Sequence, residues 1–110
     1  MTIEFAGRAI AADAQGYLRR TEDWDEALAE ELALRDGIIL TQGHWEVLRF
    51  LREYYAAYRT APPMRLLVKE IGTRFGMDKG NSRYLYRLFP EGPAKQASRY
   101  AGLPKPASCI

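Results

Sequence analysis

The stretch Thr41-Gln-Gly-His44-Trp45-Glu46-Val47-Leu48-Arg49-Phe50-Leu51-Arg52-Glu53-Tyr54-Tyr55-Ala-Ala-Tyr58 decides the architecture of this 110-residue chain. Val47, Phe50, Leu51, Tyr54 and Tyr58 recur at helical spacing on one stripe, with Arg49 and Glu53 one turn apart on the other side. Thr41 is placed to cap the helix. Leu40 and Trp45 flank that cap as a hydrophobic staple. Pro62-Pro63 ends the run, because proline lacks the amide that a continuing helix needs. A helix this long with one apolar face requires further elements to cover it.

Those elements follow on both sides. Upstream, Asp23 reads as an N-cap with Glu26 three residues on. Trp24, Ala27, Leu28 and Leu32 then keep helical spacing, and Gly37 closes the helix. Downstream, Leu67, Ile71 and Phe75 define a helix from about Met64 to Gly76. Another starts near Gly80-Asn81-Ser82 and carries Tyr84, Leu85, Leu88 and Phe89. Pro93 suits the first position of a fifth, over roughly Ala94 to Ala101, which stops at Gly102. At the N-terminus, Ile3 and Phe5 alternate with Thr2 and Glu4. Ala6-Gly7 and Asp13 to Gly16 are turns around a second strand, Arg8 to Ala11, and Tyr17-Leu18 returns as a third. The expectation is an α+β, mostly helical, single domain over residues 1–110. Residues 1–20 form a small antiparallel β-meander or hairpin, 23–101 a bundle of about five helices, and 102–110 a flexible C-terminal arm.

Composition narrows the function. Hydrophobic residues are 47% of the chain, enough for a core. No apolar run approaches the roughly 20 residues that span a bilayer, so no membrane partner is expected. The start, Met1-Thr2-Ile3-Glu4-Phe5, lacks the pattern of a signal peptide. With one cysteine a disulfide scaffold is not expected, and a reducing cytoplasm is the expected location. Residues 1–36 carry a charge of −5 and residues 37–110 one of +7. The simpler reading is solvated helix faces; the functional one is that the basic part, which carries the tail, meets an acidic protein or a nucleic acid.

The single cysteine, Cys109, is next to last. Upstream of it, Gly102-Leu-Pro104-Lys105-Pro106 is biased toward extended polyproline II. Leu103 to Cys109 would then reach roughly 20 Å. A thiol placed there has no partner for an internal disulfide, and the chain offers no zinc-site spacing around it. It is suited to thiol exchange with a partner protein, with Lys95, Arg99 and Lys105 supplying positive charge that favours the thiolate. The only histidine, His44, falls in the first turn of the long helix and reads as part of that helix end, not as a metal ligand or a base. No metal site and no cofactor are expected. The segment Arg65, Lys69, Arg74, Lys79, Arg83 and Arg87, on two short helices, also fits a helix-turn-helix DNA reader. Core packing with solvated charge is the simpler reading, and direct nucleic-acid binding is not expected.

The residues also carry a resemblance. Lys79-Gly-Asn-Ser-Arg-Tyr-Leu-Tyr-Arg-Leu-Phe-Pro90, Gly92-Pro-Ala-Lys-Gln-Ala97 and Ala101-Gly-Leu-Pro-Lys-Pro106, with Cys109 next to last, resemble the DsrC/TusE family. Gly16-Tyr-Leu18, Asp23-Trp24, Leu40-Thr41 and His44-Trp-Glu46 extend the resemblance nearly end to end. It implies a β-meander on a helical array and a sulfur carried on Cys109. Two-cysteine members of the family have a second cysteine eleven positions upstream, where this chain has Ser98. The single-cysteine pattern is similar to the TusE branch. That branch implies a sulfurtransferase-type persulfide carrier, receiving sulfur from a TusBCD-like donor complex and serving a tRNA 2-thiouridylase. The other branch implies a sulfur-substrate partner of dissimilatory sulfite reductase. Arg99, Gly102, Pro104, Lys105 and Pro106 are the expected arm and recognition residues.

Overall fold

The computed structural model describes residues 1–106. Two strands, β1 (Thr2–Phe5) and β2 (Arg8–Ala11), pair antiparallel with Ile3 opposite Ile10. Ala6 and Gly7 make the turn between them with left-handed backbone, φ 52° and 75°. Paired Ile3 and Ile10 both point into the core, as period-2 alternation requires. The expected third strand is reduced to one bridge, Ala12 with Leu18. The reason is the tight loop between them. The Asp13 carboxylate accepts from the amides of Gln15 and Tyr17, at 2.9 and 3.0 Å, which returns the chain within four residues. The sheet is therefore a hairpin.

Five α-helices follow a 3₁₀ turn at Thr21–Asp23: α1 (Glu26–Arg35), α2 (Gln42–Tyr58), α3 (Met64–Phe75), α4 (Ser82–Leu88) and α5 (Pro93–Tyr100). The N-cap of α1 is Asp25, not Asp23. Asp25 is extended at φ −146° and its carboxylate accepts from the Leu28 amide at 2.8 Å. Asp23 is instead taken up by the 3₁₀ turn, which leaves Trp24 between the two acids to face the body. α1 ends as expected. Gly37 sits at φ 78°, and the amides of Gly37 and Ile38 close back onto Leu34 and Ala33.

The start of α2 is held by His44. The Thr41 amide donates to Nδ1 at 3.0 Å, and the Thr41 hydroxyl lies 2.8 Å from the same atom. Because an amide can only donate, Nδ1 is the acceptor and Nε2 carries the proton. Nε2–H donates to the Leu88 carbonyl at 2.9 Å, tying the start of α2 to the end of α4. Burial of the ring lowers the His44 pKa, and the bond to Leu88 opposes that only in part. Val47, Leu48, Phe50 and Leu51 are the buried face of α2. Tyr58, expected on that face, is 65% exposed, because the helix runs on past the body before it turns at Arg59. Between α3 and α4, Gly72 and Gly80 meet backbone to backbone; a Cβ added at Gly72 would lie 2.9 Å from the Gly80 Cα. No helix among the described residues is long and apolar enough to cross a membrane.

Candidate functional site at the end of helix α5

Helix α5 is the element against which the others pack. Its Ala97, Ser98 and Tyr100 are fully buried, and Gln96 nearly so. The helix ends in a Schellman motif. The Leu103 amide donates to the Ser98 carbonyl at 3.0 Å and the Gly102 amide to that of Arg99 at 3.3 Å. Gly102 supplies the φ of 72° this turn requires. It also lies flat against Trp24, whose indole occupies the space of any Cβ there. Leu103, the apolar residue that completes the motif, is 2% exposed and belongs to the core.

Two further carbonyls of this turn are bound by side chains distant in sequence, one from the segment before α1 and one from α2. Trp24 Nε1–H donates to the Tyr100 carbonyl at 2.7 Å. Arg52 Nη1–H donates to the Ala101 carbonyl at 2.6 Å. The Arg52 guanidinium also lies over the Trp24 ring, 4.0 Å from its centroid. The two side chains thus form one clamp on consecutive peptide groups. Burial draws the Arg52 pKa down, yet the group remains a cation at any physiological pH.

On the flank of α5, Asp36 collects a second set of contacts. Arg99 donates to it at 2.6 Å and the Tyr100 hydroxyl at 2.6 Å. Gln96 completes the chain, donating to the Tyr100 oxygen at 2.8 Å and accepting from the Glu91 amide at 2.7 Å. Burial disfavours the Arg99 charge, but the bond to Asp36 and its negative charge outweigh this and raise the pKa. Burial and the bond to Asp36 push the Tyr100 phenol far above its usual range. Beside this network opens a polar groove of about 350 Å³, lined by Tyr17, Asp36, Glu91, Lys95, Arg99 and Lys105 among others.

The expected site residues stand in different surroundings. Ser98 is fully buried and its Oγ has no hydrogen-bond partner among the described residues. Gly102 and Leu103, expected at the root of a free arm, are packed into the body, and Pro106 is buried as well. Pro104 and Lys105 are exposed. Arg99, expected to lend positive charge to a thiol, is engaged by Asp36 and Glu91, at 2.6 and 3.4 Å. Cys109 lies outside the described residues. Trp24 and Arg52 were not legible as site residues, because nothing in their local sequence marks a contact across 76 and 49 positions. Among the described residues no cluster of histidine, cysteine and acidic side chains could hold a metal ion.

Two cations of the basic segment are paired within the chain. Lys79 pairs with Glu46 at 3.2 Å. Arg74 reaches Glu53 at 3.3 Å and lies over the Phe50 ring. α4 is only seven residues long, and the loop before it presses against α3 through the contact of Gly80 with Gly72.

Comparison with known proteins identifies the family. The family described as DsrC like protein matches residues 4–110. A protein from Yersinia pestis named sulfurtransferase TusE is 59% identical, with 98% of this chain and 99% of the relative covered. One of the same name from Sodalis glossinidius is 56% identical over 98% and 100%. Among solved structures, Allochromatium vinosum DsrC is similar with a TM-score of 0.89 and 51% identity, covering 99% of this chain and 97% of that one. The oxidized γ-subunit of the dissimilatory sulfite reductase (DsrC) from Archaeoglobus fulgidus gives 0.91 and 43%, with both chains fully covered. With the family model matching residues 4–110 and both relatives and solved structures matched nearly end to end, the chain belongs to the DsrC-like protein family.

Proposed function

We propose that this protein is a sulfur carrier that accepts persulfide sulfur on Cys109 and passes it along a relay for 2-thiouridine formation at tRNA wobble positions. The observation that carries this reading is the near full-length identity, 59%, to a protein named sulfurtransferase TusE, in a chain whose only cysteine is next to last. Ser98 supports the same branch. The chain has no second thiol with which a tail cysteine could close a disulfide.

The chemistry is thiol exchange. The Cys109 thiolate attacks the outer sulfur of a donor persulfide, R–S–SH. The S–S bond of the donor breaks, its inner sulfur leaves as a thiolate, and Cys109–S–SH forms. An acceptor thiolate then attacks the outer sulfur, and Cys109 leaves as a thiolate. No net electrons enter or leave. The body holds the start of the arm in one geometry, and the partners supply the other two thiols. A TusBCD-like complex is the donor and a tRNA 2-thiouridylase the acceptor in this reading, which places the protein in the reducing cytoplasm.

Mass spectrometry tests the carrier step. Incubation of the full chain with a persulfide donor adds one sulfur, about 32 Da, at Cys109. Cys109→Ser abolishes the adduct and leaves the circular dichroism melt unchanged. Sulfur appearing on the serine variant overturns the assignment.

A further inference from the structure

Two adjoining cavities of about 480 and 440 Å³ open along the outer face of α3 and share Pro63 and Arg65. Pro63, Met64 and Val68 give the larger one an apolar floor, and Ser82 at the start of α4 closes its side. Lys69 lines the second cavity. Arg83, adjacent to Ser82, is exposed, as are Arg65 and Lys69. No acidic side chain lines either cavity.

The charges here are arranged against the stability of the isolated chain. Arg65 and Lys69 are one turn apart on α3, and Arg83 and Arg87 one turn apart on α4. Like charges at this spacing repel. None of the four has an ion-pair partner among the described residues, whereas Arg74 on the same helix is paired with both Glu53 and Glu70. Glu70, the only acid on α3, is thus occupied by Arg74. An anionic partner would relieve this repulsion and gain the desolvated apolar floor as well.

We propose that this groove docks an acidic amphipathic segment of a partner protein. One apolar side chain of that segment seats on Pro63, Met64 and Val68, and its carboxylates pair with Arg65, Lys69 and Arg83. The shape favours a protein over a nucleic acid. Bases stack on aromatic rings, and neither cavity is lined by one. A proline, a thioether and a valine instead suit an aliphatic anchor laid in by a helix, with methionine adapting to its shape.

Amide chemical shifts of the isotope-labelled full chain test this. The probe is a synthetic helical peptide with leucines and glutamates repeating on opposite faces. A tRNA transcript is titrated in parallel. Peptide-induced shifts concentrate at Met64, Val68, Lys69, Ser82 and Arg83, and the affinity falls with added salt. Lys69→Glu with Arg83→Glu weakens binding by about 10-fold or more while the thermal melt is retained. Replacing the peptide glutamates by glutamine has a similar effect. Shifts absent from these residues, or insensitive to the charge reversal, overturn the proposal. Stronger tRNA binding at the same amides overturns it in favour of a nucleic-acid surface.

Discussion

The end of α5 and the outer face of α3 treat their polar groups in opposite ways. At the first, successive carbonyls are matched one to one with donors distant in sequence: Tyr100 with Trp24 and Ala101 with Arg52. At the second, cations stand beside an apolar groove with no ion-pair partner among the described residues. A group satisfied within the chain fixes a geometry, because moving it leaves a buried donor or acceptor unpaired. A group left unsatisfied at the surface is available to another molecule. The same fold therefore holds one region rigidly and leaves the other open, and the two can be separated experimentally.

The largest effect belongs to Leu103. It completes the Schellman turn and is 2% exposed. Leu103→Ala removes its buried methyl groups and leaves a cavity beneath the turn, costing about 2–4 kcal/mol in urea unfolding. Loss of less than about 1 kcal/mol means that the first residues after α5 are not core, and the contrast between the regions fails.

Arg52→Gln has the next effect. It removes the stacking on Trp24 and loosens the bond to the Ala101 carbonyl, together about 1–2 kcal/mol. Stability alone does not separate a clamp from ordinary packing. A nitroxide on Cys109, the only thiol, supplies the second measurement. Its spectrum sharpens in Arg52→Gln as the arm root gains freedom, and Arg52→Lys, which keeps a donor, restores part of the restriction. A spectrum unchanged in both variants shows that the clamp does not act on the arm.

What could be read from the residues follows a physical division. Helix ends written in local chemistry were legible: Gly37 and Gly102 past helix ends, Pro93 at a helix start, and His44 at the cap of α2. The α1 cap lies two residues beyond the position its sequence suggests, because Asp23 and Asp25 are equally good caps and the tertiary position of Trp24 decides between them. Tyr58 follows the stripe of α2, but no neighbour extends far enough to cover it. In sequence the arm root resembles a free linker, because of its prolines and glycine. Its burial comes from Trp24 and Arg52, which are distant in sequence. Cys109 was singled out by its sequence position and the family resemblance, and it lies beyond the described residues.

Acidification sharpens the comparison with the smallest effect. Among the described side chains, His44 is the one whose ordinary pKa lies near neutrality, and burial lowers it in the folded chain. A histidine with a depressed folded pKa is neutral in the native state and binds a proton on unfolding. Its contribution is present above about pH 6.5 and is lost as pH falls through the lower folded value. One proton changes stability by at most about 1.4 kcal/mol between pH 6.5 and 5.5. The loss is local. Protonation of Nδ1 removes the acceptor for the Thr41 amide, so the start of α2 and the Leu88 end of α4 loosen first. At the end of α5, Arg52 and Arg99 stay charged and the Tyr100 phenol stays protonated across this range. Hydrogen exchange, corrected for intrinsic rates, therefore shows lower protection at Trp45 and Phe89 at pH 5.5 than at pH 7, with Gly102 and Leu103 unchanged. His44→Gln flattens that pH dependence. If Gly102 and Leu103 lose protection in step with Trp45, the clamp and the α2–α4 corner open as one unit, and the two regions do not behave independently.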